Sequence, residues 1–306
     1  MNDREILARP DRTIIVNVPT ERATKRQAVT ASLMFAGVSV GLSCIYWLLF
    51  VLSGRGMLPF DPSSSVLGAA RGYIPTIAAV VTALAVFGRA ELSPIWARVS
   101  RWRVSPGLYG LALLVPMGTS LIVVVVASLS GTEVAFDPGG GTLPKLVLIF
   151  LFFAIVDGPL GEEIGWRGFF LPKLLERLGP IAASLILGVV WFLWHLPLYI
   201  ATGRFEMTIA FLVGYLINNV SFSFLHTWFF QRSGGSAFLA IFFHTAGNYF
   251  VFLVVTLFPA LEGAPTTRLT YLGVIAIAAV CAAISLSRGG SGSARLQRLH
   301  LDGFPT

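Results

Sequence analysis

Gly161-Glu162-Glu163-Ile164-Gly165-Trp166-Arg167-Gly168 is the stretch that decides how this chain folds, because it places two acids and an arginine beside an apolar run that begins near Leu146. Each such charge costs about 2.5–3.5 kcal/mol at the centre of a bilayer. Glu163 and Arg167 are four residues apart, so they share a helix face and are predicted to pair. Glu162 is rotated by about 100° from Glu163 around the helix, so it is not the expected partner of Arg167.

The composition is typical of a helical membrane protein. Of the 306 residues, 55% are hydrophobic and only 12% are charged, whereas about 25% of the residues of an average soluble domain are charged. Several apolar runs reach the length of about 20 residues that a helix needs to cross a bilayer. The predicted fold class is therefore an all-α polytopic membrane protein with about eight transmembrane helices.

Polar connections divide the chain into eight predicted spans, whose boundaries carry an uncertainty of about 2–4 residues. These spans together make up a transmembrane domain at 29–287, between a basic tail at 1–28 and a second tail at 288–306, and the motifs described below lie in a core at about 143–258. The spans are 29–53, 66–87, 107–129, 143–160, 181–201, 207–230, 237–258 and 269–287.

The net charge of +7 is spread over the tails and the short loops. It therefore does not indicate a nucleic-acid partner, and membrane lipid is the expected surrounding. The connecting segments on the same face of the membrane as the N-terminus carry more Lys and Arg than those on the opposite face. Such residues favour the cytosolic side. Both termini are predicted to be cytosolic, in a bacterial-type plasma membrane.

A second set of polar residues lies within the predicted spans of the C-terminal half. His195 is deep in the fifth span, and His244 and Asn248 are four residues apart in the seventh. Residues four apart share a helix face, so one pocket could gather these side chains with Glu162. Ionisable groups inside a membrane are costly and mark functional sites by default.

Such a pocket could activate a water molecule. A carboxylate in apolar surroundings becomes a usable base near neutral pH, so Glu162 together with His195 could direct water at a carbonyl group. His244 and Asn248 could donate hydrogen bonds to the oxyanion that forms, a contribution of about 3–4 kcal/mol per donor in other hydrolases. The neighbouring ion pair is predicted to support the helix that carries the acid.

A metal site is the alternative for the same residues. Zinc could be bound by Glu162, His195, His244 and Asn248, with an open position for water. The sequence lacks the His-Glu-x-x-His pattern of zinc proteases, and an asparagine amide is not among the usual ligands of zinc. No cofactor is therefore expected, and zinc is kept as the alternative.

Three motifs resemble those of the CPBP family, which comprises CAAX prenyl proteases and bacteriocin-processing enzymes and is also called the Abi family. The segment from Gly158 to Gly168 resembles the Glu-Glu-x-x-x-Arg motif of this family. Residues 191–198 resemble its second motif, an aromatic residue with a histidine four positions later, and residues 244–248 resemble its His-x-x-x-Asn motif. Trp191 is a departure, because the family often has phenylalanine there.

The resemblance implies an intramembrane endopeptidase with an eight-helix, CAAX-protease-like core. It implies that Glu162 and His195 activate water and that His244 and Asn248 serve the oxyanion. The expected partner is a peptide or protein C-terminus, which is prenylated in the substrates that give the family its name. The resemblance leaves the metal question open, since the family is often described as metalloprotease-like.

Two other functions are compatible with the chain at this stage. A proton-coupled transporter would predict a repeat across the two halves, yet the polar cluster is confined to one half. A non-catalytic family member, acting as a scaffold or giving immunity to a peptide toxin, could carry the same motifs.

Three further residues have predicted roles in packing. His226 in the sixth span is predicted to make a hydrogen bond between helices. Asp157 is a candidate partner of Arg71, or a residue at the cavity entrance. Trp191 is predicted to pack or to anchor at the interface.

Overall fold

A computed structural model gives the fold of residues 5–9, 12–16, 21–64, 66–132, 134–136, 143–156, 158–203 and 207–288. Two short strands come first, β1 (Glu5–Arg9) and β2 (Arg12–Val16). The first helices are α1 (Glu21–Gly54), α2 (Val66–Ala70), α3 (Ile74–Val86), α4 (Leu92–Val99), α5 (Pro106–Leu129) and α6 (Leu143–Ile155). They are followed by α7 (Pro159–Gly165), a π-helical turn (Trp166–Phe170), α8 (Leu171–Leu175), α9 (Pro180–Thr202), α10 (Ile209–Arg232), α11 (Ala237–Leu257) and α12 (Pro265–Arg288).

Seven helical segments of the described chain are long and apolar enough to cross a membrane. Their outer faces remain apolar: Leu33, Leu129 and Ile209 are 71%, 83% and 80% exposed. Helices that are apolar on their outer as well as their inner face suit a lipid surrounding. The chain is therefore an all-α, multi-pass integral membrane protein. The segments are Lys25–Gly54, Leu67–Val86, Pro106–Leu129, Pro180–Thr202, Ile209–Arg232, Ala237–Leu257 and Pro265–Arg288.

The fourth predicted span, 143–160, is not one continuous helix, although the other seven predicted spans coincide with the seven helical segments. α6 ends at Ile155 after 13 residues, which at 1.5 Å per residue is too short to cross a hydrocarbon core of about 30 Å. Gly158 then has a φ of +119°, and Pro159 begins α7. The apolar pattern located a helix here, but the prediction of one continuous span over 143–160 was wrong.

The predicted N-terminal tail, 1–28, contains a β-hairpin. β1 pairs with β2 in antiparallel register, with Glu5 opposite Val16 and Arg9 opposite Arg12. α1 begins at Glu21, so the last residues of the predicted tail are helical. The division of the chain into a tail, a transmembrane domain and a second tail stays a prediction.

The ends of the long helices follow local sequence signals. Pro106 and Pro180 lie in the first turns of α5 and α9, where a backbone N–H would have no hydrogen-bond acceptor within the helix. The Oγ atoms of Thr208 and Ser236 accept hydrogen bonds from the backbone in the first turns of α10 and α11, at 3.1 and 3.0 Å. Gly203 ends α9 in the left-handed conformation, with a φ of 59°.

The segment from α7 to α8 is the innermost part of the bundle, because every residue from 161 to 174 is buried. Phe35 of α1 packs against the rings of Trp166, Phe169 and Phe170, with centroids 4.7–5.8 Å apart. The π-helical turn adds a residue to the helical path, a feature that is frequent at functional sites. The bundle thus surrounds the acidic motif.

Glycines allow α7 to contact the start of α3 closely. A Cβ atom added to Gly161 would lie 2.6 Å from the carbonyl oxygen of Gly72 and 2.7 Å from the ring of Tyr73. One added to Gly165 would overlap the backbone of Pro75. The hydroxyl of Tyr73 also donates to the carbonyl of Ile155 at 2.8 Å. These contacts fix the depth and the rotation of the helix that carries both glutamates.

Gly165→Ala is expected to lower the free energy of unfolding by about 1–3 kcal/mol, the usual cost of overpacking, because the added methyl group overlaps Pro75. Denaturant titration in detergent micelles measures this. Gly110→Ala in α5 is the matched control, since its added Cβ meets no atom within 4 Å and alanine favours a helix over glycine. Equal destabilisation by both substitutions would contradict the close packing of α3 and α7.

Candidate functional site

The Glu163 carboxylate connects three segments of the bundle. Nη1 of Arg167 donates to both of its oxygens, at 2.8 and 2.9 Å. Nδ1 of His244 in α11 lies 2.9 Å from Oε1 and must be the donor, because a carboxylate only accepts. Nε2 of His226 in α10 lies 3.8 Å from the same oxygen. The Glu163 and Arg167 side chains are 0% exposed, so the pair that the spacing predicts is shielded from water.

Glu162 makes a different set of contacts from its neighbour. Its Oε2 accepts a hydrogen bond from Nε1 of Trp191 in α9 at 2.9 Å. Its Oε1 lies above Gly158, where a Cβ atom would approach to 2.6 Å. The expectation that Glu162 would not pair with Arg167 agrees with this geometry. Glu162 is buried, with 5% exposure, yet it has no ion-pair partner among the described residues.

His195 lies one turn after Trp191 in α9. Its Nδ1 is 3.1 Å from the carbonyl oxygen of Trp191, which can only accept, so Nδ1 carries a proton and Nε2 of a neutral ring is left as an acceptor. The imidazole also contacts the rings of Trp194 and Tyr215, with centroids 4.6 and 5.9 Å away. No hydrogen bond joins His195 to Glu162 in the described chain; Trp191 contacts both.

His244 and Asn248 lie on successive turns of α11, as the sequence predicts. His244 is 7% exposed, and its ring lies 5.3 Å from the indole that bonds to Glu162. Asn248 is half-buried and makes no hydrogen bond to the described residues, so its amide is available to a ligand.

The indole ring of Trp191 lies at the centre of these groups. Its centroid is 5.9 Å from the ring of His195, 5.3 Å from that of His244 and 5.7 Å from that of His226. The guanidinium carbon of Arg167 lies 4.8 Å from the same indole, which is within cation–π range. The acid and both predicted histidines therefore surround one buried side chain.

Comparison with known sequences agrees with this constellation. A family model described as "Rce1-like: Type II CAAX prenyl endopeptidase Rce1-like" matches residues 144–250. The matched segment includes all three motifs, from Glu162 to Asn248. Residues 144–250 are therefore similar to Rce1-like CAAX prenyl endopeptidases.

A curated member of this family can be aligned with the same chain. CAAX prenyl protease 2 of Methanococcus maripaludis is 26% identical over 137 residues, which are 43% of this chain and 51% of the relative. The chain therefore spans about half the length of the curated relative that it matches. The resemblance to the CPBP family that the three motifs indicate is confirmed.

His226 and Trp191 make contacts in the candidate site that the sequence did not predict. His226 does not bond between helices: its Nδ1 lies 2.8 Å from the carbonyl of Phe222 in its own helix, and its Nε2 faces Glu163. Trp191 packs as expected but also bonds to Glu162. The occurrence of histidines in three successive spans could have indicated that His226 belongs to the site. Nothing in the sequence indicates the hydrogen bond from the indole of Trp191 to Glu162. Asp157 lies outside the described residues.

A metal ion fits these donors poorly. Glu163, His226 and His244 form a group whose ligand atoms lie within 4.8 Å of one another among the described residues. This group shares only His244 with the zinc set predicted from the sequence. Both oxygens of Glu163 already accept hydrogen bonds from Arg167, whose positive charge would repel a divalent cation.

A cavity of about 510 Å³ lies elsewhere in the bundle, between α5, α11 and α12. Val123, Val254 and Tyr271 are among the residues that line it. None of the motif residues does, so this cavity is separate from the candidate site.

Arg167→Met is expected to lower the free energy of unfolding by about 3–5 kcal/mol, because it leaves the charge of Glu163 buried without compensation. Chemical denaturation in detergent measures the loss. The double variant Glu163→Gln/Arg167→Met should recover part of it, since the charge is then removed as well. Arg177→Met is the control, because Arg177 is exposed. If the Arg167 variant were as stable as this control, the pair would not hold the site together.

Proposed function

We propose that this chain is an intramembrane endopeptidase that hydrolyses a peptide bond by attack of a water molecule. The observation that carries the proposal is the separation of roles between two adjacent glutamates. Glu163 is bound by Arg167 and His244, whereas Glu162 accepts one indole hydrogen bond and forms no ion pair with the described residues. Glu162 is therefore the carboxylate left to accept a proton from water.

His195 would orient the same water molecule. Because Nδ1–H of His195 donates to the carbonyl of Trp191, Nε2 of the neutral ring would accept a hydrogen bond from this water. Water held between Nε2 and the Glu162 carboxylate would lose its proton to the carboxylate as its oxygen attacks the carbonyl carbon. The proton would then pass to the leaving amine, so that acid and base steps use one group.

His244 and Asn248 would stabilise the oxyanion. The Glu163 carboxylate at Nδ1 would favour a protonated His244, which carries a second N–H at Nε2. The Asn248 amide supplies another donor from the next turn. Donors that are fixed before the reaction cost no reorganisation when the negative charge develops. The steps proposed here need no metal, and His244, which the proposed site shares with the group of possible metal ligands, is already bonded to Glu163.

The proposed substrate is a peptide or protein C-terminus at the membrane surface. The family match describes a CAAX prenyl endopeptidase and the relative is called a CAAX prenyl protease, which together make a prenylated C-terminal peptide the first probe. The lipid-facing outer surface of the bundle suits a substrate that arrives from the bilayer. Cytosolic termini and a bacterial-type plasma membrane stay predictions from the distribution of Lys and Arg.

Glu162→Gln and His195→Ala are each expected to reduce kcat for a fluorogenic farnesylated CAAX peptide by about 10²–10⁴-fold, the usual contribution of a general base. The assay uses purified protein in liposomes, together with an unprenylated peptide library. Glu262→Gln is the control, because Glu262 is an exposed residue outside the motifs. A fully active Glu162→Gln variant that folds normally would refute the proposal.

Metal independence is tested in the same assay. Incubation with a strong zinc chelator, followed by its removal, should leave the cleavage rate unchanged, because Arg167 and His244 already engage Glu163. Inhibition by the chelator that added zinc reverses would contradict the metal-free site while leaving the peptidase activity itself intact.

A further inference from the structure

Trp191 contacts both members of the proposed water-activating pair. Its indole N–H donates to Oε2 of Glu162 at 2.9 Å. Its backbone carbonyl lies 3.1 Å from Nδ1 of His195. The first contact fixes one oxygen of the acid, and the second sets which ring nitrogen of the histidine carries the proton. One residue thus determines the orientation of two side chains from different helices.

The indole itself is held firmly in place. Trp191 is 4% exposed, and its ring contacts Arg167 and His244 at 4.8 and 5.3 Å. Arg167 is in turn fixed by its two hydrogen bonds to Glu163. The indole N–H therefore has little freedom to turn away from Glu162.

The hydrogen bond leaves Glu162 with one oxygen engaged and the other above Gly158. A carboxylate fixed through one oxygen keeps the second in a defined direction, which is what a general base needs to meet a water molecule reproducibly. A hydrogen bond to the charged carboxylate also favours the form that can accept a proton.

We propose that Trp191 is a positioning residue of the reaction, which aims the free oxygen of Glu162 and the Nε2 atom of His195 at the same water molecule. This inference rests on the proposed peptidase function. It gives a role beyond packing to the residue at which the second motif departs from phenylalanine. Phenylalanine keeps an aromatic ring at this position but has no N–H to donate, so it separates packing from hydrogen bonding.

Trp191→Phe is therefore the informative substitution, and Trp194→Phe is its matched control. Trp194 lies one turn away in the same helix and is similarly buried, at 8% exposure, but its Nε1 has no hydrogen-bond partner among the described residues. Both substitutions remove the same atoms from α9. They differ in whether the removed N–H was bonded to the proposed base.

The kinetics of both variants are measured with the farnesylated CAAX peptide in liposomes across a range of pH. Trp191→Phe is expected to lower kcat about 10–100-fold, the effect of losing a hydrogen bond to a charged group, with KM unchanged. The acidic limb of its pH–rate profile should move to higher pH, because the charged carboxylate loses a donor. Trp194→Phe should change neither kcat nor the profile by a comparable amount.

Several outcomes would overturn the inference. If Trp191→Phe and Trp194→Phe had equal kcat values and the same pH profile while Glu162→Gln was inactive, the peptidase function would stand and the positioning role would fall. If Trp191→Phe lost activity only in proportion to folded protein, measured by its unfolding transition, its role would be packing. If wild-type protein cleaved neither the farnesylated peptide nor the library, the proposed function would fall and this inference with it.

Discussion

One buried carboxylate, that of Glu163, holds the polar interior of this bundle together. It accepts from Arg167 in the adjoining π-helical turn and from His244 in α11, with His226 of α10 close by. Neither Glu163 nor Arg167 reaches solvent. A buried ion pair of this kind adds little net stability, but the loss of one partner is strongly destabilising. Each substitution of Glu163 or Arg167 is therefore expected to destabilise the bundle unless its partner is replaced as well.

The consequence for chemistry is that the second acid has a different environment. Because Glu163 binds the guanidinium of Arg167, Glu162 can face α9, where Trp191 is its side-chain hydrogen-bond partner among the described residues. The glycine contacts between α3 and α7 set how deep this helix lies. Two adjacent glutamates thus have distinct environments, and the indole of Trp191 joins Glu162 to the helix that bears His195.

The sequence predicted those features that depend on periodicity and spacing. Apolar runs located seven of the eight predicted spans within a few residues, and the four-residue separation of Glu163 and Arg167 predicted their pairing. The break at Gly158 was missed because 143–160 is apolar almost throughout, and hydropathy does not report a backbone turn. Composition likewise gave no sign of the hairpin in the N-terminal tail.

Contacts between helices could not be predicted, because they depend on how each helix is rotated. Spacing places His244 and Asn248 on one face of α11, but it does not say which glutamate that face meets. The bond from Trp191 to Glu162 joins residues 29 positions apart in sequence and has no local signature. The motif resemblance predicted a set of site residues, and the structure shows which contacts these side chains make with one another and with Trp191.

A double-mutant cycle between Glu163→Gln and His244→Leu tests the central claim most directly, because these residues join the acidic motif to α11. The free energy of unfolding in detergent is measured for wild type, both single variants and the double variant. The hydrogen bond between the two side chains predicts a coupling energy of about 1–3 kcal/mol. Strictly additive effects, with a coupling energy indistinguishable from zero, would contradict the claim that Glu163 connects these segments.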